Sequence, residues 1–167
     1  MDIPENWGAT AAETAARYPC DELVEGPTES WYRAVDVDAD PAAVYRWLCQ
    51  LRVAPYSYDL IDNFGRQSPR TLTPGLTELE LGQPMMRIFT LTGFVRDMEL
   101  TVQLTERMGR LMFGDLAVTY RALPGRLVAK LVVSARPLSF VRRKLLVWGD
   151  LVMMRRQLNT LAELAAA

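Results

Sequence analysis

The sequence predicts an α+β fold in which a curved antiparallel sheet wraps around one long C-terminal helix. Three observations predict it. Four consecutive segments between Met86 and Ala135 read as strands separated by Gly and Pro turns. One long stretch after them, from Phe140 to about Ala165, repeats apolar residues at helical spacing. The chain has 167 residues, 50% of them hydrophobic and 23% charged, which suits a single domain with one core or a slightly smaller core around a cavity.

Residues 1–30 form an acidic lead-in with helical tendency from Thr10 to Arg17, stopped by Tyr18-Pro19 and then by Gly26-Pro27. It is expected to pack on the surface of a single domain spanning 31–167. Trp31 to Val37 places Trp31, Arg33, Val35 and Val37 on one face, a strand pattern. The Asp36, Asp38, Asp40 string that follows is not a calcium loop, because Pro41 and Trp47 stand where an EF-hand needs Gly and a bidentate Glu. Asp40-Pro41 reads instead as a helix start: the carboxylate is expected to accept from free backbone N–H groups, and the Pro ring presets φ. The helix Pro41 to Gln50 then turns Val44, Trp47 and Leu48 toward a core.

From Arg52 to Pro84 periodicity is lost among Pro55, Gly65, Pro69, Pro74, Gly75 and Gly82. An irregular stretch of that length inside a compact domain marks a functional segment. Strands follow at Met86 to Thr92, Met98 to Thr105, Asp115 to Leu123 and Leu127 to Ala135, with turns expected at Gly93, Gly109, Gly114 and Pro124-Gly125. In the second strand Met98, Leu100, Val102 and Leu104 share one face while Glu99, Thr101, Gln103 and Thr105 share the other, which predicts a sheet with one wet face. The last helix lines up Val147, Leu151, Met154, Leu158, Leu161 and Ala165, with Gly149 a candidate kink. It is the only long element available to cover the apolar face of the sheet.

Composition excludes several chemistries. The chain has no histidine, which removes Ser-His-Asp and Cys-His catalysis and the commonest transition-metal ligand. Cys20 and Cys49 cannot complete a tetrahedral zinc site and are too far apart for a CxxC motif, so both read as buried free thiols; neither metal nor cofactor is expected. No apolar run is long enough to span a membrane, and no secretory signal opens the chain, so a cytoplasmic location is expected. The net charge of −1 divides into −6 over residues 1–30 and +5 over the remainder. Arg136, Arg142, Arg143, Lys144, Arg155 and Arg156 face only Asp150 in the last segment. Such a cluster makes weak membrane-surface contact, or is a solvated helix face neutralised by the acidic lead-in. With no recognition motif and no basic domain, nucleic acid is not an expected partner.

Four segments carry a family resemblance: the Trp31 strand leading into Asp-Ala-Asp-Pro-Ala-Ala-Val-Tyr-Arg-Trp-Leu (38–48), Tyr56-Ser-Tyr-Asp-Leu-Ile-Asp-Asn-Phe-Gly-Arg-Gln-Ser-Pro-Arg70, Phe113-Gly-Asp-Leu-Ala-Val-Thr-Tyr-Arg121, and Trp148-Gly-Asp-Leu-Val-Met-Met-Arg-Arg-Gln-Leu158. Over about Trp31 to Leu164 the chain resembles the SRPBCC superfamily, with the START-like helix-grip fold of birch-pollen-type allergens, lipid-transfer START domains and bacterial polyketide cyclase/dehydrase-like proteins. It is most similar to a bacterial branch. The resemblance implies a hydrophobic cavity between the sheet and the final helix that takes lipids, sterols, polyketides or plant hormones.

Candidate ligand contacts follow. Tyr56, Tyr58, Asp59, Asn63 and Arg66 gather polar and aromatic tips where a cavity mouth is expected, the few oriented hydrogen bonds an apolar pocket needs. The alternative is a structural latch, with Asp59 or Asp62 capping a short helix and pairing with Arg66 or Arg70. Phe89 and Trp148 are candidates for the cavity wall, Tyr120 for a polar contact, and Arg87 for an anion partner, although an outward-facing Arg is the commoner arrangement. The methionines suit an adaptable apolar lining or ordinary core. Three functions remain: carriage of a small hydrophobic molecule; aromatase/cyclase chemistry with Asp59 or Asp62, or Tyr58 or Tyr120 assisted by Arg66 or Arg87, moving protons; or a partner-binding module using the charged segments.

Overall fold

The computed structural model describes residues 3–58, 67–135 and 140–167. Seven strands form one sheet: β1 (Asn6–Trp7), β2 (Thr28–Asp36), β3 (Pro84–Met85), β4 (Phe89–Val95), β5 (Glu99–Leu104), β6 (Leu116–Leu123) and β7 (Arg126–Ser134). Their spatial order is β1-β2-β7-β6-β5-β4-β3. Every neighbouring pair is antiparallel except β1 with β2. The helices are α1 (Ala11–Ala15), α2 (Pro41–Cys49), α3 (Arg107–Phe113) and α4 (Phe140–Ala166), with 3-10 turns at Pro19–Glu22 and Gln50–Arg52.

The predicted architecture is the observed one. α4 lays Val147, Met154, Leu158 and Leu161 against Trp31 and Val35 of β2, Leu100 and Val102 of β5, Val118 and Tyr120 of β6, and Leu127, Ala129 and Leu131 of β7. α2 closes the same core with Val44, Trp47 and Leu48. Each fully buried Leu in this cluster contributes about 2 kcal/mol relative to exposure. α4 runs without a break through Gly149, contrary to the candidate kink. Nothing crowds that glycine and no inserted group disturbs the helical ladder.

Several local expectations are corrected. Asp40 does not cap α2 with its side chain. Its backbone carbonyl accepts from the N–H groups of Ala43 (2.9 Å) and Val44 (3.1 Å), and Pro41 has no N–H to satisfy. The strand expected from Met86 is interrupted there, because the Met86 N–H leaves the ladder to donate to the Leu51 carbonyl at 2.8 Å. Met86 and Arg87 then take φ of 45° and 66° before β4 begins at Phe89. Gly93 is not a turn: it lies inside β4 at a register shift, where a strand glycine accommodates a bulge. The chain reverses two residues later, with Asp97 at φ 59° and the Met98 N–H donating to Val95.

The β5–β6 connection, read as glycine turns, is the helix α3. The Glu106 carboxylate accepts from the N–H groups of Met108 (3.0 Å) and Gly109 (2.6 Å), and Gly114 ends the helix at φ 80°. Gly109 packs closely on Leu104, whose Cδ1 would have to shift to admit a Cβ 2.9 Å away.

The face of the sheet expected to be wet is partly covered. Tyr18, Cys20 and Val24 of the lead-in are buried against Tyr32, Ala34, Ala117, Val128 and Val132. Glu99 and Thr101 are buried beneath them. The lead-in also supplies β1, whose two residues pair with Tyr32 and Arg33.

Candidate ligand-binding site

α4 turns an almost wholly apolar stripe toward the sheet, and Gln157 interrupts it. Its side chain is buried and spans the interior: Oε1 accepts the Tyr120 hydroxyl at 2.7 Å, and Nε2 donates to the Pro55 carbonyl at 2.6 Å with Met86 Sδ at 3.4 Å. A polar chain therefore crosses the apolar interior from β6, through α4, to the segment after α2. An unpaired amide in that setting costs about 1–3 kcal/mol, so these bonds determine where the segment rests. Burial pushes the Tyr120 hydroxyl well above its ordinary range, so it keeps its proton and acts as a donor.

Pro55 delivers the chain to Tyr56, a buried residue in the left-handed region at φ 55°. Left-handed backbone at a bulky side chain is strained and persists only when its surroundings over-determine it. Here the Tyr56 ring meets Trp47 edge-on, with centroids 5.9 Å apart and planes at 81°. Outside Tyr56 lies a cleft of about 60 Å³ lined by Tyr56, Ser57, Gln67, Ser68, Arg70, Arg156 and Thr160. Arg70 and Arg156 are exposed at its rim, and neither has a carboxylate partner among the described residues. The Thr160 hydroxyl is spent on the Arg156 carbonyl at 2.8 Å. A roomier hollow of about 260 Å³ lies elsewhere, beside Thr105, Arg107, Arg110 and Leu111 of α3.

A second buried polar pair sits on the same interior face. Arg33, with no exposed side-chain surface, donates to Asp150 Oδ2 at 2.9 Å and to the carbonyls of Tyr32 and Glu5 at 2.8 and 3.1 Å. Burial pushes the Asp150 carboxyl up to about 6, partly countered by the adjacent guanidinium. Seven residues of helix, about 10 Å, separate it from Gln157.

Of the residues singled out from sequence, Tyr120 is bonded by Gln157, which also holds the Pro55 carbonyl just before Tyr56. Phe89 is half-buried against the main core. Tyr58, Arg87 and Trp148 lie at the surface. Asp59, Asn63 and Arg66, with the alternative Asp62, lie outside the described residues. Sequence reasoning missed Gln157, although a polar residue between Met154 and Leu158 on an inward stripe was the available signal. It also missed Ser57 and Thr160. Among the described residues no three Cys, Asp or Glu side chains converge as metal ligands.

No protein-family model matches the chain, and comparison with curated proteins finds no match. Solved structures do match. The di-domain ARO/CYC BexL from the BE-7585A biosynthetic pathway superposes with a TM-score of 0.53 at 14% identity, over 88% of this chain and 53% of that one. This chain thus spans about half the length of that structure. Weaker likenesses are to Ara h 8.0201, with a TM-score of 0.43 at 9% identity over 81% of this chain and 99% of that one, and to a protein from Arthrobacter aurescens, with 0.45 at 12% identity over 90% of each chain. At 14% identity the first of these likenesses is one of fold, and the seven-strand sheet closed by a long C-terminal helix is a helix-grip fold.

Proposed function

We propose that the protein binds and carries a small molecule with an apolar body and an acidic head, a lipid or polyketide-like compound, held between the sheet and α4 and admitted at the Tyr56 cleft. The observation that carries the reading is the Tyr120–Gln157–Pro55 chain, an oriented polar path through a largely apolar interior that ends beside a cleft rimmed by Arg70 and Arg156. A cleft of about 60 Å³ holds only a couple of waters. Loading therefore moves the 55–58 segment off α4 and exchanges the Gln157–Pro55 bond for one to the ligand. Losing that bond costs about 1 kcal/mol. Burying about 200 Å² of apolar ligand returns about 5 kcal/mol. The buried, unlinked thiols of Cys20 and Cys49 support a cytoplasmic setting for the carrier.

Cyclisation of a polyketide-like chain is the second reading. Asp150, pushed up to about 6, is suited to exchange a proton near neutrality. Its engagement with Arg33, two helical turns from the cleft, favours carriage over chemistry.

Native mass spectrometry of the protein incubated with decanoate or methyl decanoate tests the proposal. One bound decanoate, a much weaker ester complex, and loss of about tenfold in decanoate affinity for Arg70→Gln combined with Arg156→Gln are expected. Equal binding of acid and ester overturns the acidic head, and no binding of either overturns the cavity.

A further inference from the structure

α4 is as unusual on its outer face as on its inner one. Leu145, Trp148 and Val152 are 69%, 46% and 49% exposed. Spacings of three and four place them on one stripe. Between Phe140 and Arg156 the sequence holds a single carboxylate, Asp150, and it is engaged by the buried Arg33 at 2.9 Å. The stripe is flanked by the exposed Lys144, Arg155 and Arg156. α3 repeats the pattern on a smaller scale, with Met108, Leu111 and Met112 at 61%, 64% and 52% exposure beside the exposed Arg107. It stands at the end of the sheet where α4 begins, because Asp115, just after α3, exchanges backbone and side-chain hydrogen bonds with Ser134 at the end of β7.

We infer that the outer face of the first half of α4 docks on an anionic lipid surface. Single exposed apolar residues need no explanation, but a contiguous stripe bordered by one sign of charge does. A convex helix with Leu, Val and Trp on its crest and Lys and Arg at its edges matches the acyl–headgroup boundary: the apolar crest enters, the Trp sits at headgroup level, and the long cationic side chains snorkel to phosphates. A protein partner would find no carboxylate on α4 between Phe140 and Arg156 beyond the engaged Asp150 to set register, whereas a bilayer requires none. The helix lies on the surface and does not cross it, since no helix among the described residues is long and apolar enough to span a membrane. The inference is independent of the proposed ligand and gives a lipophilic cargo a place of exchange.

Vesicle co-sedimentation of the intact chain tests it, comparing phosphatidylcholine vesicles with vesicles containing one-third phosphatidylglycerol. Binding to the anionic vesicles about tenfold stronger than to neutral ones is expected, with a blue shift of Trp emission that Trp148→Phe diminishes. Raising salt from about 0.05 M to about 0.5 M should release the protein. Lys144→Gln combined with Arg155→Gln lowers binding about fivefold per charge. Leu145→Ser, Trp148→Ser and Val152→Ser together lower it about tenfold or more, with far-UV circular dichroism unchanged. Should the triple variant not fold, Leu145→Asp at the most exposed position carries the same expectation. Equal binding to neutral and anionic vesicles overturns the inference, as does wild-type binding by the folded apolar variant. A wild-type dimer that these substitutions dissociate, without vesicle binding, assigns the face to self-association and also overturns it.

Discussion

The two faces of one sheet are closed by different physics. On the inner face, α4 and α2 seal the strands with aliphatic and aromatic contacts, among which lie the Arg33–Asp150 pair and the Tyr120–Gln157–Pro55 chain. On the outer face, the acidic lead-in adds paired charges to the apolar patch of Tyr18, Cys20 and Val24. Lys130 pairs with Asp21 at 2.5 Å and lies over the Tyr18 and Tyr32 rings at 5.4 and 5.3 Å. Arg121 pairs with Glu99 at 2.7 Å and stacks on Tyr18 at 4.2 Å, and Arg126 pairs with Glu13 at 2.9 Å. Thr119 and Cys20 complete the seam through a 3.1 Å bond to the Cys20 N–H. Neighbouring residues along a strand point to opposite faces, so one set of strands serves both schemes. A helix held by non-directional contacts can part to admit a ligand. A segment held partly by paired charges loses that part of its anchorage as salt rises.

The largest test of this contrast is Asp150→Ala, which leaves the Arg33 guanidinium buried without its counter-charge. A loss of about 3 kcal/mol in urea unfolding at neutral pH is expected. A loss under 1 kcal/mol would mean that water already reaches the pair. The same carboxyl predicts a pH dependence. Its folded value of about 6 lies above its ordinary 3.8, so the folded state binds the proton more tightly than the unfolded chain. Its contribution to stability is complete below about pH 4 and is lost as pH rises through about 6. Asp150→Asn should flatten stability across that window.

A middle effect belongs to Tyr120→Phe, which strands Gln157 Oε1 in the core at about 2 kcal/mol. Adding Gln157→Leu should restore part of that loss, read as non-additivity in a double-mutant cycle. Strict additivity would show that the hydroxyl and amide do not communicate. The smallest effect is on the outer face: Asp21→Asn is expected to cost about 1 kcal/mol, shrinking as salt is raised, while the inner-face losses stay constant. Salt-insensitive loss would erase the distinction between the faces.

Much of this architecture was legible because the relevant signals are local. The stripe from Val147 to Ala165, the alternation of Met98 to Leu104 and the Asp40-Pro41 helix start are periodicities and stop signals within a few residues. α3 was hidden because Gly109 and Gly114 look like turns, and only the Glu106 cap and the close approach to Leu104 explain a helix there. The break at Met86 was hidden because the carbonyl that captures its N–H belongs to Leu51. At the candidate site, Tyr56 and Tyr120 could be chosen as polar tips. The bridge from Tyr120 to Pro55 could not, since Gln157 reaches partners 37 and 102 residues away in the chain.

By itself the sequence determined most of the long strands and α2, the helix that covers the sheet, the absence of imidazole chemistry and the separation of an acidic arm from a basic remainder. Tertiary structure alone decided that the arm closes the outer face, that Gln157 joins β6 to the Pro55 segment, and that Leu145, Trp148 and Val152 face outward unpartnered. The reason is physical. Periodicity states which residues of an element avoid water, but which distant group satisfies a buried polar atom, or leaves an apolar one exposed, depends on contacts made only after the chain has folded.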